Sequence, residues 1–122
     1  MQSSRTRPPR PPSRRLGPDA ERRVRRHYRL RGYRILAANA WVGRYELDLV
    51  VRRGRRLVFC EVKARSGPGY GDPWEAVGPE KARRVEQAAE AWLARERELA
   101  DLDVCFEVVA VRGRQIERVA LH

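Results

Sequence analysis

Apolar positions change their spacing several times along the chain, and each change marks an element. From Pro18 onward, Ala20, Val24 and Tyr28 fall on one face at helical spacing, with His27 beside Val24 as a face or core residue. Proline suits the first helical turn, and Gly32 suits the stop. Period-two alternation then predicts three strands, at Tyr33–Asn39, Tyr45–Val51 and Arg56–Lys63, with a hairpin turn at Arg53-Gly54. The segment ARSGPGYGDP reads as a loop, and Asp72-Pro73 can cap a short helical turn. Gly78-Pro79 opens a longer helix in which Val85, Ala88, Ala89, Trp92 and Leu93 form an apolar stripe, so Trp92 reads as core. A strongly apolar run at Asp103–Val111, a turn at Arg112-Gly113-Arg114 and a last strand at Gln115–Leu121 complete the chain. The predicted fold is α/β, in the order αβββαβ(β), with a mixed central sheet flanked by helices. The strand after the crossover helix should run parallel to the one before it.

Strand alternation also distributes the charges. In YELDLVV, Glu46 and Asp48 share one face, while Tyr45, Leu47, Leu49 and Val51 share the other. In RLVFCEVKA, Glu61 and Lys63 share a face with Leu57 and Phe59, and Val58, Cys60 and Val62 point away. A turn at Arg53-Gly54 pairs Arg52 with Arg55, and the same register sets Glu46 opposite Glu61 and Asp48 opposite Phe59. The apolar sets of both strands then share a face. The other face gathers Glu46, Asp48, Glu61 and Lys63. Facing carboxylates repel by up to about 1 kcal/mol per pair. A solvated polar edge is one account of such a patch. The other is a hard-cation site for Mg²⁺ or Mn²⁺, with a lysine that can orient or deprotonate a water or stabilise charge on a phosphoryl oxygen.

At 122 residues the chain has room for one domain, and its composition, 42% hydrophobic, allows one modest core. Residues 1–15 carry four prolines, five arginines and almost nothing apolar, which predicts a disordered basic arm ahead of a domain at 16–122. That N-terminus has no apolar run suited to a secretory signal, and no stretch approaches the roughly 18 apolar residues of a membrane span. A cytoplasmic protein is expected, with no membrane partner. Cys60 and Cys105 lie in apolar runs, so two buried thiols are expected rather than a disulfide scaffold or a cysteine zinc site. The formal net charge of +11 points to a polyanion, most simply nucleic acid, against the plainer reading that charge confers solubility. The folded part is basic in its own right. Of 27 basic residues only Lys63 and Lys81 are lysine. A site needing a compact ammonium explains Lys63, whereas chance retention is an alternative for Lys81.

With Asp48 and Glu61-Val62-Lys63 in the order αβββαβ, the chain resembles the restriction-endonuclease-like PD-(D/E)xK nucleases. The pieces GPDAERRVRRHYRLRGYRILAAN, ELDLV, LVFCEVKARS and GDPWEAVGPEKARRVEQAAEAWL resemble more specifically the YraN family of small bacterial proteins, whose fold is similar to that of Holliday-junction resolvases. The resemblance implies a metal-dependent endonuclease acting on DNA, branched or single-stranded. Asp48 and Glu61 would hold Mg²⁺ or Mn²⁺, Lys63 would position or activate water, and Glu46 would support them. Glu21, in G-x-x-x-E, is only a polar helix residue by sequence, and the resemblance alone adds it to the metal ligands. Arg65, Arg83, Arg84 and Lys81 are candidate phosphate contacts, and the arginines are equally explained as solvated faces. Gln87, one turn further on, is within reach of the same region. The competing function is a non-catalytic nucleic-acid-binding module or a partner protein in DNA processing, and a homodimer is compatible with either. Two positions depart from the family pattern, Tyr45 where glycine is usual and Glu107 where aspartate is usual.

Overall fold

The first helix ends as its sequence requires. In the computed structural model, which describes residues 17–65 and 79–121 (side chains of Ala64 and Arg65 excepted), α1 spans Pro18–Leu30. Gly32 follows at φ +89°, a backbone conformation open to glycine. Its N–H donates to the Arg29 carbonyl and that of Tyr33 donates to the Tyr28 carbonyl, both at 3.0 Å, the bond pair of a Schellman stop. The hydrophobic contact that accompanies such a stop is present as well, with the Tyr28 and Tyr33 rings edge to face at 5.3 Å.

Five strands follow this turn: β1 (Arg34–Val42), β2 (Tyr45–Arg53), β3 (Arg56–Arg65), then, after helix α2 (Pro79–Arg95) and a 3₁₀ turn at Arg97–Leu99, β4 (Asp103–Arg112) and β5 (Gln115–Leu121). They form one sheet in the order β1-β2-β3-β4-β5. Among the described strands only β3 and β4, joined through α2, are parallel, so the mixed sheet and its crossover are as the sequence pattern predicts. The arm expected at 1–15, most of the glycine-rich loop and the turn expected at Asp72-Pro73 lie outside the described residues.

Among the described residues three hairpins turn through a Gly-Arg pair: Gly43-Arg44, Gly54-Arg55 and Gly113-Arg114. Each glycine has φ between +56° and +60°, and none has an atom within 4 Å of where a Cβ would stand. Glycine first with positive φ suits a two-residue turn whose twist matches the flanking strands. Because space is open, Gly54→Ala tests backbone strain alone. It should lower stability by about 1 kcal/mol, read as a lower urea midpoint at an unchanged denaturant slope.

This turn corrects the expected register. The turn residues are Gly54-Arg55, not Arg53-Gly54, so Arg53 pairs with Arg56, Val51 with Val58 and Leu49 with Cys60. An Arg53-Gly54 turn would have required positive φ at an arginine, which glycine accepts and arginine resists. The correction moves the partners by two residues, and a shift of two does not by itself move any side chain to the other face.

The sheet is covered on both faces. Val24 and Tyr28 of α1 pack with Leu49, Val51, Val58, Cys60, Val109 and Val111 on one side. Ala88, Ala89 and Trp92 of α2 pack with Val50, Leu57 and Phe59 on the other, so Trp92 is core as expected. Leu47, expected on the α1 side, joins the α2 cluster instead, together with Val42 and Tyr45. The cause is the course of β1 and β2. β1 runs past its expected end at Asn39 to Val42, is bulged at Leu36 and carries Asn39 at φ +51°. The β2–β3 ladder closes at Leu49, and the ribbon beyond it curls toward α2. Cys60 is buried and Cys105 half-buried, both free thiols. Burial pushes the Cys60 thiol up to about 12, which leaves it inert at neutral pH. Among the described residues no helix is long and apolar enough to cross a membrane.

Candidate active site

Asp48 stands where β2 parts from β3. The last ladder pair is Leu49 with Cys60, so Val62, two residues beyond Cys60 on β3, donates its N–H to Asp48 Oδ2 at 2.9 Å instead of to a strand carbonyl. Continued one residue past that pair, the observed register sets Asp48, rather than Glu46, toward Glu61, in place of the expected Glu46–Glu61 facing. Both carboxylates lie on the α2 side of the sheet, where Phe59 is buried under Trp92. Burial, then the neighbouring Glu61 and Glu46, push Asp48 up to about 7, against the opposing pull of the Val62 N–H. The four expected residues therefore share one patch, although paired differently.

Glu61 is 8% exposed and is held from two directions. Lys63 Nζ lies 3.3 Å from Glu61 Oε2, and Lys81 Nζ reaches the same oxygen at 2.8 Å from the first turn of α2. Burial and the adjacent Lys81 lower the Lys63 ammonium, and Glu61 opposes them. Lys81, expected as a phosphate contact or a chance survivor, is thus a member of the acidic cluster. The one signal for it in the sequence is that it shares with Lys63 the distinction of not being arginine.

The remaining candidates divide. Glu21 is half-buried on α1, which covers the opposite face, and among the described residues its side chain makes no hydrogen bond or ion pair. Arg83 and Arg84 are exposed on α2, and the side chain of Arg65 is outside the described residues. Tyr45 packs with the α2 cluster and donates its hydroxyl to Gln87 Oε1 at 3.0 Å, so its bulk is directed at the helix and Gln87 is engaged there. Glu107 faces α1 and anchors a separate buried network. Its carboxylate accepts from Tyr28 at 2.8 Å, from Arg118 at 2.9 and 3.0 Å and from Arg56 at 3.2 Å.

Among the described residues no three histidine, cysteine or acidic side chains converge as a metal cage. Asp48 and Glu61 offer a two-carboxylate oxygen set. That is the set Mg²⁺ commonly uses when water and substrate phosphate supply the remaining ligands. Burial first and then repulsion from Glu61 raise Asp48, and the repulsion is the kind of cost that a divalent cation removes.

Comparison with known proteins adds family relationships. Residues 20–111 match the model of the uncharacterised protein family UPF0102. A UPF0102 protein of Acidothermus cellulolyticus is 41% identical over 110 residues, covering 82% of this chain and 83% of that protein. One from Parvibaculum lavamentivorans is 46% identical over 105 residues (85% and 77% of the two chains), and one from Halorhodospira halophila 40% over 106 (87% and 84%).

Proposed function

The chain belongs to the uncharacterised protein family UPF0102, the YraN family, and we propose that it is a divalent-metal-dependent nuclease hydrolysing phosphodiester bonds in DNA. One observation carries the reading: at the fork of β2 and β3, Asp48, held by the Val62 N–H, neighbours Glu61, with the Lys63 ammonium 3.3 Å from Glu61. Asp48 and Glu61 would hold Mg²⁺ or Mn²⁺, which when bound polarises a phosphoryl oxygen and acidifies a water. Asp48 is oriented by the Val62 N–H, so its carboxylate is placed before any ligand arrives. Lys63 orients the attacking water or meets charge gathering on the phosphoryl group, and Glu46 adds to the negative field. Arg83 and Arg84 stand exposed on α2 to contact flanking phosphates, and the net charge of +11 draws the polyanion in.

The test is hydrolysis of labelled branched, single-stranded and duplex DNA with Mg²⁺ or Mn²⁺, abolished by chelator. Lys63→Arg keeps a positive charge but replaces a point ammonium with a wide fork. It should bind DNA within a few-fold of the wild type and cleave at least about a hundredfold more slowly, the scale of losing one aligned electrostatic or acid–base group. Full activity in Lys63→Arg would remove the lysine from the mechanism. Salt-sensitive binding with no hydrolysis of any of these substrates would make the protein a binding module.

A further inference from the structure

Two ammonium groups on one carboxylate oxygen are more than charge neutralisation of Glu61 requires. Lys63 belongs to β3 and lies beside Glu61 through strand geometry. Lys81 comes from elsewhere, and its position is locally unfavourable. It lies in the first turn of α2, where the positive end of the helix dipole favours acids and opposes cations. A tertiary partner accounts for its placement, and that partner is Glu61 Oε2 at 2.8 Å, the shorter of the two contacts. The residue type carries a second message. Apart from Lys63 and Lys81, the other 25 of the 27 lysine and arginine positions are arginine, and an arginine would grip Glu61 through a planar fork. A lysine makes a single point contact on a flexible stem, which can be exchanged.

We propose that Lys81 is an exchangeable counter-ion, which neutralises Glu61 while no divalent cation is bound and turns to a phosphate oxygen of the nucleic acid once a cation takes Glu61. The inference rests on Asp48 and Glu61 being the cation site. With Glu46, Asp48 and Glu61 ionised against Lys63 and Lys81, the patch carries one net negative charge. Adding a divalent cation leaves one positive charge in excess, and a phosphodiester, with its single negative charge, is the anion that restores balance. Cation and nucleic acid then promote each other's binding, because each makes room for the other's charge. Without a cation, Lys81 stays on Glu61 and is withheld from phosphate.

The experiment compares the full-length wild type, Lys81→Gln, Lys81→Arg and Arg97→Gln, the last removing a positive charge from the exposed 3₁₀ turn. Mn²⁺ affinity is measured by calorimetry without nucleic acid. Affinity for a short DNA duplex is measured by anisotropy with and without Ca²⁺, a hard cation of equal charge. Lys81→Gln should bind Mn²⁺ at least five-fold more tightly than the wild type, Lys81→Arg no more tightly, and Arg97→Gln within two-fold. Lys81→Gln should also lose most of the Ca²⁺-induced gain in duplex affinity while matching the wild type without Ca²⁺. Equal Mn²⁺ affinity in the wild type and Lys81→Gln overturns the exchange. So does an equal loss of duplex binding with and without Ca²⁺, which would make Lys81 a fixed phosphate contact. If neither the wild type nor Lys81→Gln takes up Mn²⁺, the cation site itself fails and the exchange fails with it. A comparable melting temperature for Lys81→Arg establishes that the fold is kept.

Discussion

Asp48→Asn should melt higher than the wild type in the absence of divalent cations, with a gap that widens by several degrees between pH 5 and pH 8. The sign follows from proton linkage. Asp48 is pushed up to about 7 in the folded protein by burial and by Glu61, against roughly 3.9 in an unfolded chain. The folded state therefore binds the extra proton, and stability falls as pH rises from about 4 through about 7. Asparagine cannot ionise, and its amide oxygen can still accept the Val62 N–H that Asp48 Oδ2 accepts. The same substitution removes half of the carboxylate pair. A ligand that binds only the folded state adds about 2.7 kcal/mol at one hundred times its Kd, on the order of 10 °C for a domain of this size. The wild type should show such a rise with Mn²⁺, Asp48→Asn should lose most of it, and DNA hydrolysis should fall at least about a hundredfold. Melting curves at pH 5 and 8 with and without Mn²⁺ decide the matter. A variant that responds to Mn²⁺ like the wild type would show that these carboxylates do not form a cation site.

The largest expected loss of stability comes from the opposite face. Glu107 is 4% exposed in the centre of the α1-side layer. Burial alone would raise its carboxyl, but bonds from Arg118, Tyr28 and Arg56 outweigh burial and hold it below the usual carboxylate range. Arg118 is in turn stacked on the Tyr28 ring at 4.7 Å, and Arg56 Nε donates to Tyr33 Oη at 3.1 Å. One acid thus joins α1, β3, β4 and β5. Removing one partner of a buried pair costs roughly 3–5 kcal/mol. The Arg118 and Arg56 side chains keep 22% and 41% exposure, so water can take up part of the freed charge, and the lower end applies. Glu107→Gln should lower stability by about 3 kcal/mol and melting by on the order of 10 °C. Since the folded value lies below the unfolded one, this stabilisation is complete above the unfolded pKa, about 4.3, and is lost as pH falls through the folded value. The gap between variant and wild type should close below pH 4 in acid titrations. A gap that persists unchanged into acid would mean that packing, not the ionised carboxylate, supplies the stability. DNA cleavage per folded molecule should be unaffected, because the network lies across the sheet from Asp48 and Glu61.

What the amino-acid sequence determined is whatever depends on neighbours within a few residues. Helix period and the Gly32 stop placed α1, alternation placed the strands, and the apolar stripe of Val85, Ala88, Ala89 and Trp92 placed α2 on the sheet. Alternation also put Glu46, Asp48, Glu61 and Lys63 on one face, because side-chain direction in a strand is a local property. It could not choose between two registers differing by two residues, since both keep every face intact. The folded hairpin, turning at Gly54-Arg55, set Leu49 opposite Cys60 and so directed Asp48 rather than Glu46 toward Glu61. Tertiary structure likewise decided that β2 leaves β3 at Leu49, which freed the Val62 N–H for Asp48 and curled Leu47 and Tyr45 toward α2. It brought Lys81 onto Glu61 from 20 residues away in sequence, and it gathered Arg56 and Arg118 on Glu107. Charged side chains carry no period that announces their partners. Their pairing is set by where separate elements dock, and that is a property of the whole sheet and its two helices.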